Sequence, residues 1–320
     1  MAASGPEPLR VLCLLGPTGA GKNAAALALP RPVGVVNFDS RQIYRHVPIV
    51  TAQPDAAERA QAPHWLYGFL GPTRSMSAAR FAGLARRAAA RCASLGRLPV
   101  LVGGTGLYLR VLLEGIAPIP PIPEAVRAAA KARVAAQGPQ AVHAWLAERD
   151  PDYAAVIHPN DTQRTTRALE VLLATGRTMS QWHAAGREGA GSAGEGGEAG
   201  ERRLDALVVG LRADLDALTP RLAARIEAML AAGALEEARR LKAICPDRSA
   251  PVYSAIGCPE LRDHLDGTCT LDEAKARWLK NTRAYAKRQL TWCRKAPGLV
   301  WMDPADHAGL ARLAAERFGG

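Results

Sequence analysis

The residues from Gly16 to Asn23 carry the clearest chemical signal in the sequence. They read GPTGAGKN, in which a glycine, four further residues and then Gly-Lys give the spacing of a phosphate-binding loop. An apolar run at residues 11–15 comes before the loop, and an Ala/Leu stretch that predicts a helix follows it. In such a loop the glycines let the backbone wrap an anion, while N–H groups and the lysine point at it. The residues predicted to bind phosphate are Gly16, Pro17, Thr18, Gly19, Ala20, Gly21, Lys22 and Asn23.

The last position of this loop bears on a metal ion. It is usually a Ser or Thr whose hydroxyl binds magnesium, and here it is Asn23. The side-chain carbonyl oxygen of an asparagine is still a hard oxygen ligand of the kind that Mg2+ takes. We therefore expect Mg2+ as the cofactor, with Asn23 as its ligand.

Two more polar groups follow predicted strands. Asp39 comes directly after the apolar run 33–38, and Thr105 follows the run 98–102 and two glycines. Because the carboxyl ends of parallel strands open into the same crevice, both side chains are expected near a ligand that the loop holds. Plainer interpretations stay open at this point, since Asp39 can simply cap a loop or helix and Gly-Gly-Thr is by itself a weak motif.

The chain as a whole predicts an α/β fold, namely a parallel sheet of the P-loop NTPase type with an inserted all-helical subdomain. Buried parallel strands are predicted at residues 11–15, 33–38, 98–102 and 206–211, with Ala-, Leu- and Arg-rich helices between them. Helices are predicted at residues 124–137, 139–149 and 161–175.

Two breaks in composition enclose those last three helices. Residues 117–123 are rich in proline and predict a rigid connector, whereas residues 186–200 are rich in glycine and predict a flexible loop. The sequence is therefore divided into a catalytic core, residues 1–117 and 201–320, and a helical insertion, residues 118–200.

Two helical stretches carry an excess of positive charge. Gln163, Arg164 and Arg167 lie on one predicted helix, where Gln163 and Arg167 share a face. Residues 277–295 contain seven basic residues and no acidic one. The cations of this final helix predict a phosphate-rich partner and its aromatic residues predict a buried face. An ordinary solvated face explains the first stretch equally well.

Composition narrows the classes of protein. The chain has 320 residues and a formal net charge of +11, which is typical of proteins that bind polyanions. Its six cysteines contain no Cys-x-x-Cys pair, which predicts reduced thiols, and its seven histidines show no metal-ligand spacing. No apolar run approaches the roughly 20 residues that span a bilayer, and the N-terminal residues lack a secretion signal. We expect a cytoplasmic monomer that contacts no membrane.

Six motifs together resemble the tRNA dimethylallyltransferases. In that family's order they are GPTGAGK, DSRQIYR, VGGTGLYLR, NDTQRTTRALEV, IG-x-x-EL at residues 256–261, and TRAYAKRQLTW. The resemblance implies transfer of a dimethylallyl group from dimethylallyl diphosphate to the exocyclic N6 amine of the adenosine at tRNA position 37. It also implies that the phosphate loop grips an isoprenoid diphosphate rather than ATP, and that the tRNA anticodon stem-loop is the partner.

The resemblance also implies roles for individual residues. Asp39 would be the general base, with Lys22 and Thr105 at the reacting groups, and Arg221 and Arg225 would join the loop in binding the diphosphate. Residues implied to contact tRNA are Asp39, Ser40, Arg41, Gln42, Thr105, Arg127, Gln163, Arg164, Thr165, Thr166 and Arg167, and the charge of the final helix adds Arg283, Lys287 and Arg288. The helical insertion would then be a tRNA-contacting subdomain.

Three departures and three alternatives qualify that resemblance. Asn23 replaces a Ser or Thr, Leu215 stands where the family carries an arginine, and Cys258 replaces a tyrosine. A small-molecule phosphotransferase and an adenylate isopentenyltransferase both fit the phosphate loop, but they leave the basic final helix and the insertion unused. An RNA-binding protein without catalysis would not need Lys22 and Asp39 at one crevice.

Overall fold

The structure is a computed structural model that describes residues 7–191 and 203–319. The chain forms two compact units. The core unit contains Met1–Leu113 and Arg202–Gly320, and the helical unit contains Glu114–Glu201. The sequence interpretation begins the insertion slightly later, at residue 118.

One parallel sheet forms the centre of the core unit. Its strands within the described residues are β1 (Leu9–Leu15), β2 (Val33–Asn37), β3 (His64–Trp65), β4 (Leu98–Gly103), β5 (Leu204–Leu211) and β6 (Val300–Met302). They lie in the order β3-β2-β4-β1-β5-β6, and every pairing is parallel. The four apolar runs of the sequence are therefore the four central strands, which confirms the predicted fold class. The edge strands β3 and β6 are too short to show an apolar pattern.

Helices surround this sheet and make up the helical unit. Those of the described residues are α1 (Lys22–Leu27), α2 (Ala56–Gln61), α3 (Ala78–Ser94), α4 (Gly106–Glu114), α5 (Glu124–Gln137), α6 (Pro139–Ala147), α7 (Pro151–Ala154), α8 (Thr162–Thr175), α9 (Met179–Gly191), α10 (Leu215–Ala231), α11 (Ala234–Ile244), α12 (Cys258–Leu265), α13 (Leu271–Cys293) and α14 (His307–Phe318). Not one of them is both long and apolar enough to cross a membrane.

Both faces of the sheet are buried. Along β1, Val11 and Cys13 point into one apolar cluster, whereas Leu12 and Leu14 point into another. The first cluster includes α3 and the second includes α1 and α14. Helices on both faces leave the ends of the strands as the place where polar side chains can reach a ligand.

Substitution of Phe81 on α3 tests how much a buried core side chain contributes to stability. It is 1% exposed and stacks on Tyr108 of α4, with ring centroids 4.1 Å apart. We expect Phe81→Ala to lower the free energy of unfolding by about 3–5 kcal/mol, because it removes a large buried ring and leaves a cavity. Urea denaturation measures this, with Leu95→Ala as the control, since Leu95 is 47% exposed. An equal loss in both variants would contradict the assignment of Phe81 to the core.

The helical unit has an apolar centre of its own. Val134 of α5, Val142 of α6 and Leu169 of α8 are buried together. These helices begin and end within two residues of the predicted ones. Helix α8 stops at Gly176, whose φ of 68° is the left-handed conformation that favours glycine at a helix end. The proline-rich residues 117–123 form neither helix nor strand, as their composition predicts.

The first residues of the glycine-rich stretch are helical. Helix α9 continues to Gly191, so the prediction of a flexible loop from residue 186 is wrong for its first six residues. A glycine inside a helix costs only about 1 kcal/mol relative to alanine, which a helix already begun can absorb. At Gly186 the missing side chain is also useful, because a Cβ there would lie 3.0 Å from the Ala117 backbone. Residues 192–200 of the predicted loop lie outside the described residues.

Candidate active site

The phosphate loop connects β1 to α1 at the carboxyl edge of the sheet. Gly21 caps the helix with φ 81°, a conformation that a residue with a side chain rarely adopts. Lys22 Nζ donates to the carbonyl oxygens of Gly16 at 3.0 Å and Pro17 at 2.8 Å. Burial lowers the pKa of Lys22 to about 8, and the nearby Asp39 carboxylate opposes that shift. The ammonium group is thus desolvated and held by weak acceptors that a phosphate can replace.

Asp39 is held rigidly at the end of β2. Its Oδ1 accepts from the Arg41 N–H at 2.9 Å. Its own N–H donates to Oδ1 of Asn37 at 2.7 Å, and Asn37 Nδ2 donates to the carbonyls of Asp39 at 3.1 Å and Leu66 at 2.9 Å. Asn37 is fully buried. In the described part of the chain nothing hydrogen-bonds Asp39 Oδ2, which is left to act on a ligand.

The strand beside β2 must come unusually close to it. A Cβ at Gly103, the last residue of β4, would lie 2.7 Å from the Phe38 carbonyl carbon and 2.9 Å from the Asp39 nitrogen. Only glycine allows this approach. It brings Thr105 to the same edge, where Thr105 Oγ1 accepts from the Ser40 N–H at 2.9 Å.

Helix α13 closes this edge of the sheet from the C-terminal part of the chain. Tyr285 of this helix lines the cavity, and burial raises the pKa of its phenol. Tyr285 therefore stays neutral.

These elements enclose a cavity of about 360 Å³ in the core unit. Its polar lining includes Thr18, Lys22, Asn23, Asp39, Glu58 and Arg225. Its apolar lining includes Val50, Leu222, Ile226, Met229, Ile256 and Trp278. Such a mixed lining suits a ligand that combines an anionic group with a small hydrocarbon.

The two arginines predicted to bind diphosphate differ. Arg225 lines the cavity, where burial lowers the pKa of its guanidinium and the Glu58 carboxylate opposes the shift. Arg221 is exposed and does not line the cavity. The two arginines lie four residues apart on one face of α10, each directly before a buried residue, and of the two only Arg225 reaches the cavity. A role for Arg221 in binding diphosphate stays a prediction.

Asn23 does not offer the ligand that the sequence predicts. Its Nδ2 donates to Glu58 Oε1 at 2.5 Å, and its Oδ1 lies 3.2 Å from His64 Nε2. Because a carboxylate only accepts, the amide nitrogen must face Glu58 and the carbonyl oxygen must face the histidine. The carboxamide therefore joins α1 to α2 and β3. Glu58 lines the same cavity; its Oε1 accepts from Asn23 and its Oε2 accepts from the Asp55 N–H at 3.1 Å, and each carboxylate oxygen keeps a second lone pair.

Asn23→Thr tests this correction. We expect the variant to bind pyrophosphate several-fold more tightly when Mg2+ is added than the wild type does, because a hydroxyl replaces an occupied amide. Isothermal titration with and without Mg2+ measures the difference, and Ser94→Thr on the far end of α3 is a control. An equal effect of Mg2+ on both proteins would show that position 23 has no part in metal binding.

The residues predicted to contact tRNA in the core unit fall into two groups. Arg41 and Gln42 are in the cavity wall, where Arg41 donates to the Ser254 hydroxyl and Gln42 Nε2 donates to the carbonyls of Thr51 and Ala52. On α13, Lys287 and Arg288 are exposed, and no ion pair holds either within the described ranges. Arg283 donates to Asp216 and Thr219 of α10.

In the helical unit the predicted tRNA contacts are mostly on one exposed surface. Gln163 and Arg164 are exposed, and Thr166 and Arg167 are partly exposed. Arg127 on α5 keeps a side chain that is 44% exposed. Thr165 is fully buried, so the prediction that it contacts tRNA is wrong. Its position places it on the same face of α8 as Ala168 and Leu169, which pack into the centre of the unit.

Sequence reasoning gave no role to several residues of the site. Asn37 and Gln289 are the clearest. Asn37 lies two residues before the motif DSRQIYR, and Gln289 lies within TRAYAKRQLTW. The signal that could have found them is a polar residue in an apolar pattern. Asn37 ends the run VGVVN, and Gln289 lies between the buried Ala286, Leu290 and Cys293 on α13.

The chain is similar to known proteins over most of its length. The family model described as IPP transferase matches residues 42–296. A tRNA dimethylallyltransferase of Nitratidesulfovibrio vulgaris strain DP4 is 53% identical over 94% of this chain and 94% of its own length. The corresponding protein of Oleidesulfovibrio alaskensis is 50% identical over 95% and 96%.

Solved structures give the same result. The full-length tRNA isopentenylpyrophosphate transferase of Bacillus halodurans is 33% identical and covers 97% of this chain and 98% of its own, with a TM-score of 0.65. A eukaryotic dimethylallyltransferase acting on tRNA has a TM-score of 0.73 at 25% identity, covering 96% of this chain and 77% of its own. With its phosphate loop, its cavity and these relatives, the chain belongs to the IPP transferase family of tRNA-modifying enzymes.

Proposed function

We propose that this enzyme transfers a dimethylallyl group from dimethylallyl diphosphate to the N6 amine of the adenosine at tRNA position 37. The products are N6-dimethylallyladenosine in the tRNA and diphosphate. The observation that carries the proposal is the cavity, because the cationic Lys22 and Arg225, the Asp39 carboxylate and a set of apolar side chains all line the same space.

The cationic lining of the cavity activates the leaving group. During transfer the bond between the allylic C1 and the diphosphate oxygen breaks, and its electron pair stays on that oxygen. Lys22 and Arg225 line the cavity, and together with the loop N–H groups they would stabilise this developing negative charge. The allylic carbon thereby gains positive character, which its double bond stabilises. Mg2+ carried by the diphosphate would add to this neutralisation, and Glu58 is the residue that would hold it.

The carboxylate supplies the proton acceptor. The adenine amine is a poor nucleophile because its lone pair is delocalised into the ring. As the bond between N6 and C1 forms, one N6 proton passes to Asp39 Oδ2, which the Arg41 N–H and Asn37 keep in place through the rest of the residue. Thr105, whose hydroxyl is hydrogen-bonded to Ser40, lies at the same edge and orients the base.

The apolar lining of the cavity accounts for a hydrocarbon as the transferred group. The side chains of Val50 and Ile256 offer no charged or hydrogen-bonding group and Trp278 offers only its indole N–H, so they suit a branched five-carbon chain better than the ribose of a nucleotide. This argues for the prenyl donor over ATP, and therefore against a small-molecule phosphotransferase.

The basic surfaces account for an RNA acceptor. An anticodon-loop base can leave its stack at low cost and enter a crevice, provided that the backbone on either side is held. Lys287 and Arg288 of α13, together with Gln163, Arg164 and Arg167 of α8, are proposed to hold the stem-loop phosphates. A tRNA substrate would place the reaction in the cytoplasm.

The test is a direct assay. Purified protein is incubated with Mg2+, dimethylallyl diphosphate and unmodified tRNA that has adenosine at position 37, and nucleoside digests are read by mass spectrometry. We expect dimethylallyladenosine from the tRNA and none from a parallel reaction with free AMP. Modified AMP would favour the nucleotide prenyltransferase, and turnover of ATP without prenyl transfer would favour the phosphotransferase.

A further inference from the structure

Gln289 is a buried amide whose hydrogen bonds are only half satisfied. It is 2% exposed on the inner face of α13. Its Oε1 accepts from the Thr18 N–H of the phosphate loop at 2.8 Å, across 271 residues of sequence. Its Nε2 is buried and has no hydrogen-bond partner among the described residues. Burying an unpartnered donor is unfavourable, so a leucine or methionine would pack here at lower cost unless the amide has a use.

The position of this amide suggests the use. A Cβ at Gly104 would lie 2.0 Å from Gln289 Nε2, so the amide packs directly on the turn between β4 and α4. That turn leads into Thr105, and the loop on the other side of the amide leads into Lys22. Gln289 therefore lies between the two segments that carry the reacting groups.

The same helix presents the basic surface. Lys287 and Arg288 immediately precede Gln289 and are exposed. One turn earlier, Tyr285 lines the cavity. A helix is stiff over so few residues, so a phosphate that fixes Lys287 or Arg288 also fixes the amide that touches the phosphate loop.

We propose that Gln289 is a positioning residue that couples RNA binding on the outer face of α13 to diphosphate binding in the phosphate loop. This rests on the proposed function. The unpartnered Nε2 predicts that the coupling is positive, because Nε2 can gain a hydrogen bond when the two loops close on their ligands. One such bond changes an equilibrium about two- to tenfold. The coupling is reciprocal, so each ligand raises the affinity for the other by the same factor.

The experiment measures the coupling factor itself. Inorganic pyrophosphate is titrated calorimetrically into the full-length protein, alone and with saturating anticodon stem-loop RNA. For the wild type we expect pyrophosphate to bind about two- to tenfold more tightly with RNA. In Gln289→Glu, which keeps the acceptor for Thr18 but has no donor, the ratio should fall to one. Gln289→Met, which has neither, should give the same ratio.

Two controls distinguish a loss of coupling from a loss of the folded structure. Gln61→Met makes the same chemical change on the exposed surface of α2 and should keep the wild-type ratio. Thermal melting shows which variants are folded, and the near-isosteric Gln289→Glu serves if the methionine variant is not. The added charge of the glutamate lowers affinity in both titrations and cancels from the ratio. A wild-type ratio of one, or folded Gln289 variants that keep the wild-type ratio, would overturn the proposal.

These outcomes are separate from those of the transfer assay. Wild-type protein that forms dimethylallyladenosine but shows no coupling overturns the role of Gln289 and leaves the proposed function standing. Wild-type protein that shows coupling but forms no product contradicts the proposed function instead.

Discussion

Replacing Asp39 with asparagine should lower the rate of prenyl transfer about 10²–10⁴-fold, which is the usual contribution of a general base. The amide keeps an oxygen that can accept from the Arg41 N–H, so the turn after β2 should survive. What it loses is the ability to take the N6 proton. The loss should therefore fall on kcat, while pyrophosphate affinity and RNA binding change little. Single-turnover rates with the tRNA substrate measure it.

The chain offers a closely matched control. Asp303 accepts from the N–H two residues ahead at 2.8 Å, the same local bond that Asp39 makes, and it is exposed and far from the cavity in sequence. Asp303→Asn should transfer the prenyl group at the wild-type rate. If Asp39→Asn loses less than about tenfold, another group accepts the proton and the assignment of the base is wrong.

The second large effect is expected at Lys22. Lys22→Met keeps most of the aliphatic stem but removes a charged donor, and bonds from charged groups contribute about 1.5–3 kcal/mol. Pyrophosphate should therefore bind roughly 10- to 100-fold more weakly. The transfer rate at low dimethylallyl diphosphate should fall by at least that factor, because the same charge also stabilises the leaving group. Calorimetric titration measures the binding loss.

A measurement of RNA binding shows whether Lys22 acts on the diphosphate or on the RNA. The variant should bind the anticodon stem-loop as the wild type does, since the lysine is buried in the loop. Lys131→Met removes an exposed lysine of the helical unit and should leave pyrophosphate binding unchanged. Parallel losses of RNA and pyrophosphate binding in Lys22→Met would mean that the loop serves the RNA, and the proposed division of the site would fail.

Much of the fold follows from local sequence pattern. The central strands are apolar runs, and helices such as α5 begin after a proline and end at a glycine. These signals need no partner to be recognised. The edge strands β3 and β6 give no such signal, because they exist only through pairing with β2 and β5.

The residues of the site also divide into those that local sequence could predict and those that it could not. Lys22 and Asp39 were predictable because a loop spacing and a strand end place them. Thr165, Arg221 and Asn23 were assigned by their positions in the sequence, but their surroundings depend on the fold: Thr165 is buried, Arg221 is exposed and Asn23 donates to Glu58. Asn37, Glu58 and Gln289 act through contacts that join distant segments, and no single stretch of sequence contains both partners.

The bond between Gln289 and the phosphate loop also sets an order of events during synthesis. The loop leaves the ribosome early, but its partner in α13 is made about 270 residues later. At 5–20 residues per second this is a delay of roughly 15–55 s. For most of that interval β1 lacks β5 and the cavity lacks Arg225, and Tyr285 is missing almost to its end. A nascent chain therefore holds a phosphate loop that cannot yet act, and the enzyme becomes competent only after α13 has been made.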